Sequence, residues 1–242
     1  MSAGRGPLLA VELVGLPGSG KTTVAVPVRA ELERRGLSCA DRALVAAPTG
    51  SRAAHFGRIG GFYLRRPGQI TGAVSLGLRS GWPCRGPTLE QAFRLYAWSY
   101  RLWRAGGLSC DVVLLDQGPV QAAWSSMLHH GMTNTEALHQ AVARIIAGSG
   151  LRYALVWMEV GTGTACERIR DRETMESTFD RLSQEQAARI LDLRGPHLRR
   201  LYQTVSRAVG ADTLELDGTR PLADKCAELC RFIESGAGRV GR

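Results

Sequence analysis

The stretch Gly15-Leu16-Pro17-Gly18-Ser19-Gly20-Lys21-Thr22 carries the spacing G-x-x-x-x-G-K-[ST]. Glycines at those places let the backbone turn so that its amides converge on phosphate oxygens. An apolar run, Leu8–Val14, precedes the loop and an amphipathic stretch follows it. The loop is therefore expected to join a buried strand to a helix whose N-terminus faces the phosphates. Gly15, Pro17, Gly18, Ser19, Gly20, Lys21, Thr22 and Thr23 are the expected ATP-binding residues. In this chemistry Lys21 bridges the β- and γ-phosphates, and the Thr22 hydroxyl ligates Mg²⁺.

Two further stretches could act on the same phosphates. Residues 111–116 read DVVLLD, four apolar residues ending in Asp116. A carboxylate at the end of such a strand can orient Mg²⁺ or accept a proton from an acceptor hydroxyl; it can also simply cap the next helix. Residues 166–183 read CERIRDRETMESTFDRLS, with Arg168 and Arg172 one helical turn apart. Those guanidinium groups could close over transferred phosphate as a lid at about 165–183 and act in catalysis with Lys21 and Asp116. Salt-bridged Glu and Arg pairs on a solvated helix would look the same in sequence.

The elements that must position these residues alternate along the chain. Short apolar runs stand at Leu8–Val14, Ala43–Ala47, Asp111–Leu115, Tyr153–Val160 and Thr213–Leu216. Helical patterns fall between them at Thr22–Arg35, Leu89–Arg104, Val120–His130, Thr135–Ala147, Ala165–Arg172, Gln184–Val209 and Leu222–Ile233. Strands alternating with amphipathic helices predict an α/β fold, a doubly wound, three-layer parallel sheet. The 242 residues suit a single domain over 1–242. Pro48–Pro87, punctuated by Gly, Arg and Pro, shows little periodicity and reads as an acceptor-side insertion or mobile segment.

Composition narrows the classes. The net charge of +9 favours anionic partners, or reflects an arginine-rich composition with no single patch. With 6% aromatics and no long run of like charge, no nucleic-acid platform is expected. Six scattered cysteines without a CxxC pair point to reduced thiols in a cytoplasmic protein, and the histidines add no zinc pattern. No apolar run approaches a membrane span, so no membrane partner is expected.

The order of glycine loop, strand plus Asp, Arg-rich segment and a last DGTRP turn into a helix (Asp217–Pro221) resembles the thymidylate-kinase-like group of P-loop nucleoside and nucleotide kinases. The resemblance spreads over roughly 8–234, with the glycine loop its specific part. It implies that Thr219, Arg220 and Pro221 line the adenine site and that Arg168, Arg172 and Arg181 form the lid. It is also compatible with a homodimer. Gln117 stands where family members carry an Arg that grips an acceptor phosphate, and Pro48–Pro87 does not follow the thymidylate-binding pattern.

The acceptor is therefore left open among nucleosides, nucleotides and small hydroxylated metabolites. Phe93, Tyr96, Tyr100 and Trp103 share one helix face, which is either core or a stacking wall for a ring-shaped acceptor. The resemblance places its acceptor-binding helix about here, so Gln117, Tyr96, Tyr100 and Arg101 are the candidate acceptor contacts. The expected function is transfer of the γ-phosphate of Mg·ATP to a small molecule. The competing class is a nucleotide-dependent regulatory ATPase or switch, although the guanine-reading Asn-Lys-x-Asp is absent from the chain.

Overall fold

Leu9–Gly15 (β1) is buried along its whole length and is paired on both edges, so it lies at the centre of the sheet. The computed structural model describes residues 8–46, 51–79, 86–130, 134–172 and 178–238. Cys39–Asp41 (β2), Val112–Leu115 (β3), Arg152–Glu159 (β4) and Asp212–Asp217 (β5) join β1 in the order β2-β3-β1-β4-β5. Every pairing is parallel.

Parallel neighbours need long crossovers, and helices supply them. Lys21–Arg34 (α1) follows β1. Arg42–Ala46 (α2), Arg52–Leu64 (α3), Pro67–Arg79 (α4) and Gly86–Ala105 (α5) lie between β2 and β3. Pro119–His130 (α6) and Thr135–Ala147 (α7) precede β4; Thr162–Arg170 (α8) and Gln184–Val209 (α9) precede β5. Leu222–Gly238 (α10) ends the described chain.

Alternation along β1 makes two cores. Ala10 and Val14 pack with Leu95, Leu102, Trp124, Leu138 and Leu201 of α5, α6, α7 and α9. Val11 and Leu13 meet Val24, Val28 and Leu32 of α1 and Leu229 and Ile233 of α10 on the other face. Burying each such aliphatic side chain contributes roughly 1.5–3 kcal/mol, so the sheet is clamped from both sides. The result is a three-layer α/β fold with a five-stranded parallel sheet. Among the described residues, no helix is long and apolar enough to cross a membrane.

Two expectations about local structure are overturned. The run Ala43–Ala47 was expected to be the second strand, yet Arg42–Ala46 is helix α2 and the strand is Cys39–Asp41. A three-residue edge strand is too short to show a period of two, while the alanines next to it favour a helix. Pro48–Pro87 contains two 13-residue helices, α3 and α4, where little periodicity was expected; 47–50 and 80–85 lie outside the described residues. Glycines at positions 57, 60, 61, 68, 72 and 77 lower intrinsic helix propensity, and tertiary packing outweighs it. Gly72 in α4 lies so close to α5 that a Cβ there would stand 2.5 Å from the Tyr96 hydroxyl.

Candidate functional site

The loop after β1 takes its shape from two glycines. Gly18 and Gly20 have φ of 81° and 88°, a region that L side chains enter only at a cost. Gly18 is doubly required, because a Cβ would lie 2.4 Å from the Ala165 carbonyl oxygen of α8. Lys21 is half-buried at the start of α1. Its ammonium donates to the carbonyls of Gly15 at 2.7 Å and Leu16 at 2.9 Å, and to Ser19 Oγ at 3.3 Å. Desolvation, and then the positive charge of Arg172, push its pKa down to about 7, against the attraction of Asp116. Lys21 is thus a cation held in poor solvent beside a second cation, which an arriving polyanion would relieve.

β3 delivers Asp116 to the other side of this loop. Thr22 Oγ1 donates to Asp116 Oδ2 at 3.1 Å across 94 residues of chain. A hydroxyl and a carboxylate thereby meet at one point, and with phosphate and water oxygens they match the hard donor set that Mg²⁺ takes. The other carboxylate oxygen, Oδ1, pairs with Arg42 Nε at 3.1 Å, and Arg42 Nη1 donates to Gln117 Oε1 at 2.8 Å. Arg42 begins α2, immediately after the edge strand. A positive charge therefore stands beside Gln117, supplied by a different element.

Asp116, Gln117 and Arg42 open onto a cavity of about 1080 Å³. Its other wall is one face of α5, on which Gln91, Arg94, Leu95, Trp98 and Arg101 recur at helical spacing. The Arg101 guanidinium lies 4.9 Å above the Trp98 ring, a cation–π contact. Burial, and then the neighbouring charge of Arg42, hold Arg101 below the usual arginine range. The cavity thus carries two crowded guanidinium groups next to the Asp116 carboxylate, a setting that attracts an anion.

The far end of the loop meets β4, α8 and the turn after β5. Gly218 donates to the Glu159 carbonyl at 2.7 Å, and a Cβ there would come within 3.3 Å of the Ser19 carbonyl oxygen. Asp217 Oδ1 accepts from the Thr219 amide and hydroxyl, which shapes the turn. Arg168 donates to the carbonyls of Gly18 and Gly218 at 3.5 and 3.1 Å, tying loop to turn. Lys225 of α10 donates to the same Gly218 carbonyl at 2.9 Å. Thr219, Arg220 and Pro221 are exposed beside this junction, with Arg220 ion-paired to Glu228. Of the three arginines expected in a lid, Arg168 spends its guanidinium on backbone carbonyls, Arg172 acts electrostatically on Lys21, and Arg181 is exposed at the end of a short turn over Thr178–Arg181. Residues 173–177 of the expected lid lie outside the described residues.

Tyr96 and Tyr100, expected as acceptor contacts, are not among the residues that line this cavity. Tyr96 is 3% exposed, with its ring against α4, and Tyr100 packs in an aromatic group with Phe62 and Trp103. Within the aromatic stripe of α5, Tyr96 and Tyr100 pack against neighbouring helices while Phe93 and Trp103 stay partly exposed, and the roughly opposite face of the helix lines the cavity. Gln117 and Arg101 line it. Four residues escaped the sequence reading: Arg42, Trp98, Lys225 and Glu12. The i, i+3, i+7, i+10 recurrence of Gln91, Arg94, Trp98 and Arg101 was a visible signal for Trp98. Glu12 was visible as the one charge inside an apolar strand. Nothing in the pattern marks Arg42 or Lys225.

No protein-family model matches the chain, and no curated protein matches it. Among solved structures, the chain is similar to one described as the crystal structure of APE1195, at 14% identity and a TM-score of 0.44. The match covers 98% of this chain and 99% of that one. A likeness at this level identifies neither family nor activity.

Proposed function

We propose that this chain is an ATP-dependent phosphotransferase of the P-loop kinase type, a divergent relative of the thymidylate-kinase-like group. It moves the γ-phosphate of Mg·ATP to a small molecule held in the α5 cavity. The observation that carries this reading is the meeting of Thr22 with Asp116 at the mouth of a cavity that also contains Arg42, Gln117 and Arg101. A loop that only bound nucleotide would need no such chamber beside its metal-binding threonine.

Each residue then has a task. The amides of the glycine loop and Lys21 hold the phosphates, whose charge restores Lys21 to its protonated form. Thr22 and Asp116 would hold Mg²⁺, which supplies charge neutralisation on the phosphates when bound. Arg172, beside Lys21, faces the transferred group, and Arg168 fixes the loop against the turn at 217–221 that borders the base. Asp116 orients or deprotonates the acceptor hydroxyl. Arg42 supplies the positive charge that Gln117 lacks, so the site favours an acceptor bearing a negative group. Such a reaction belongs in the cytoplasm, where ATP is abundant.

The test is ATP consumption by the purified chain against nucleosides, nucleoside monophosphates and non-nucleotide alcohols with and without an anionic group. Asp116→Asn is the control. Consumption that depends on one acceptor class and disappears in the control supports the reading. Rapid hydrolysis without any acceptor overturns it in favour of a regulatory ATPase.

A further inference from the structure

Glu12 is fully buried in the middle of β1 with no cation compensating it among the described residues. Its Oε1 accepts the Gln121 amide at 3.0 Å. Its Oε2 accepts the Val120 amide at 3.3 Å and the Tyr153 hydroxyl at 2.9 Å. The two amides belong to the first turn of α6, where donors have no partner inside the helix and the helix dipole favours a negative charge. Tyr153 reaches the carboxylate diagonally from β4, where it stands opposite Ala10. Gly118 presses against the same group, since a Cβ there would lie 2.4 Å from Glu12 Cδ.

The contacts around this carboxylate lead to both halves of the nucleotide site. Glu12 stands opposite Leu115 in the β1–β3 register, one residue before Asp116. The turn that follows Asp116 is held at Gly118, Val120 and Gln121 by Glu12 itself. Gln121 Oε1 in turn accepts the Gly15 amide, at 3.4 Å, at the start of the glycine loop. A methionine or leucine would fill the same volume without burying a charge, and such replacements are often neutral or stabilising. The carboxylate therefore contributes placement of two loops in preference to stability.

We propose that Glu12, oriented by Tyr153, is a positioning residue that sets the Asp116 turn and the first glycine of the loop relative to one another. It touches no substrate and acts through α6 and Gln121. Its structural part rests on these hydrogen bonds alone; its consequence for Mg²⁺-dependent ATP binding rests on the phosphotransferase reading. Burial raises the Glu12 pKa to about 7, and Tyr153 is the one titratable side chain facing it among the described residues. The ionised form accepts all its donors. The protonated form must give its hydrogen to Tyr153 Oη and weaken its hold on an amide.

Glu12→Gln and Tyr153→Phe test this, with Tyr153→Phe as the milder change should the first fail to fold. Hydrogen exchange in the chain without nucleotide reads the structural part. Protection of the amides at 15 and 120 is expected to fall about tenfold in both variants while the core strands keep theirs. ATP affinity with and without Mg²⁺ reads the consequence. The gain in affinity on adding Mg²⁺ is expected to drop about tenfold, as for other residues that orient metal ligands, with Mg²⁺-free affinity little changed. Unchanged exchange at both places overturns the inference, whatever the nucleotide does. Altered exchange with an unchanged Mg²⁺ gain overturns its functional half. A wild-type chain that binds no ATP overturns the phosphotransferase reading and leaves the exchange result to decide this one.

Discussion

Glu12→Gln should change sign in its effect on stability as pH rises. Burial raises the Glu12 pKa from 4.5 to about 7, so the folded chain holds this proton more tightly than the unfolded one. A raised carboxyl pKa stabilises the fold below about 4.5, and that contribution is lost as pH climbs through about 7. The gap of about 2.5 pH units corresponds to roughly 3 kcal/mol, fully expressed above neutrality. Glutamine keeps an acceptor for the Gln121 amide and can donate to Tyr153 Oη, but it leaves the Val120 amide without a partner, at about 1 kcal/mol. The variant should therefore be about 1 kcal/mol less stable than the parent near pH 4, about equal to it near pH 5 and about 2 kcal/mol more stable near pH 8. Urea unfolding followed by tryptophan fluorescence at several pH values measures this. Taking the difference between the two proteins cancels the titration of every other group. A difference that stays constant within about 0.5 kcal/mol from pH 5 to 8 would refute the reasoning, since Glu12 would then titrate like a solvated carboxyl.

Lys21→Ala should lower phosphotransfer by about a hundredfold or more, because it removes the charge that the proposed reaction would place against the β- and γ-phosphates; steady-state ATP consumption with the acceptor found by screening reads it. Arg42→Ala should raise the KM for an anionic acceptor about tenfold while the Kd for ATP stays put, losing one charge-assisted contact; an equal effect on an uncharged acceptor would count against the role given to Arg42. Gly118→Ala should cost about 1–3 kcal/mol through overpacking against Glu12, seen as an earlier urea midpoint. The Tyr100 hydroxyl is buried with no hydrogen-bond partner among the described residues, so Tyr100→Phe should be as stable as the parent or about 1 kcal/mol more so, and should leave acceptor KM unchanged.

Much of the frame was legible because its signals are local. Leu8–Val14 followed by G-x-x-x-x-G-K-T announces a strand, a glycine turn and a helix within a short stretch, and β1 and α1 fall there. The helices Thr135–Ala147 and Gln184–Val209 match their hydrophobic periods residue for residue. Where signals are weak or long-range, the reading failed. β2 is three residues long, and α3 and α4 are glycine-rich, so neither has a period or propensity strong enough to read. The aromatic stripe of α5 was legible as a face, but not which neighbour that face would meet.

The chain's own pattern thus determined the alternation of strands and helices, the glycine loop with Lys21 and Thr22, and the Asp that ends β3. Those features depend on backbone conformation and on periods of two and 3.6, which neighbouring residues impose on one another. Only the tertiary structure decided that Asp116 meets Thr22, that Arg42 stands beside Gln117, and that Trp98 and Arg101 line the cavity in place of Tyr96 and Tyr100. It also decided that Glu12, read as part of an apolar strand, holds the turn after Asp116 from 108 and 109 residues away. Such partners are chosen by sheet order and by the side to which each helix packs, and neither is written in any one segment of the chain.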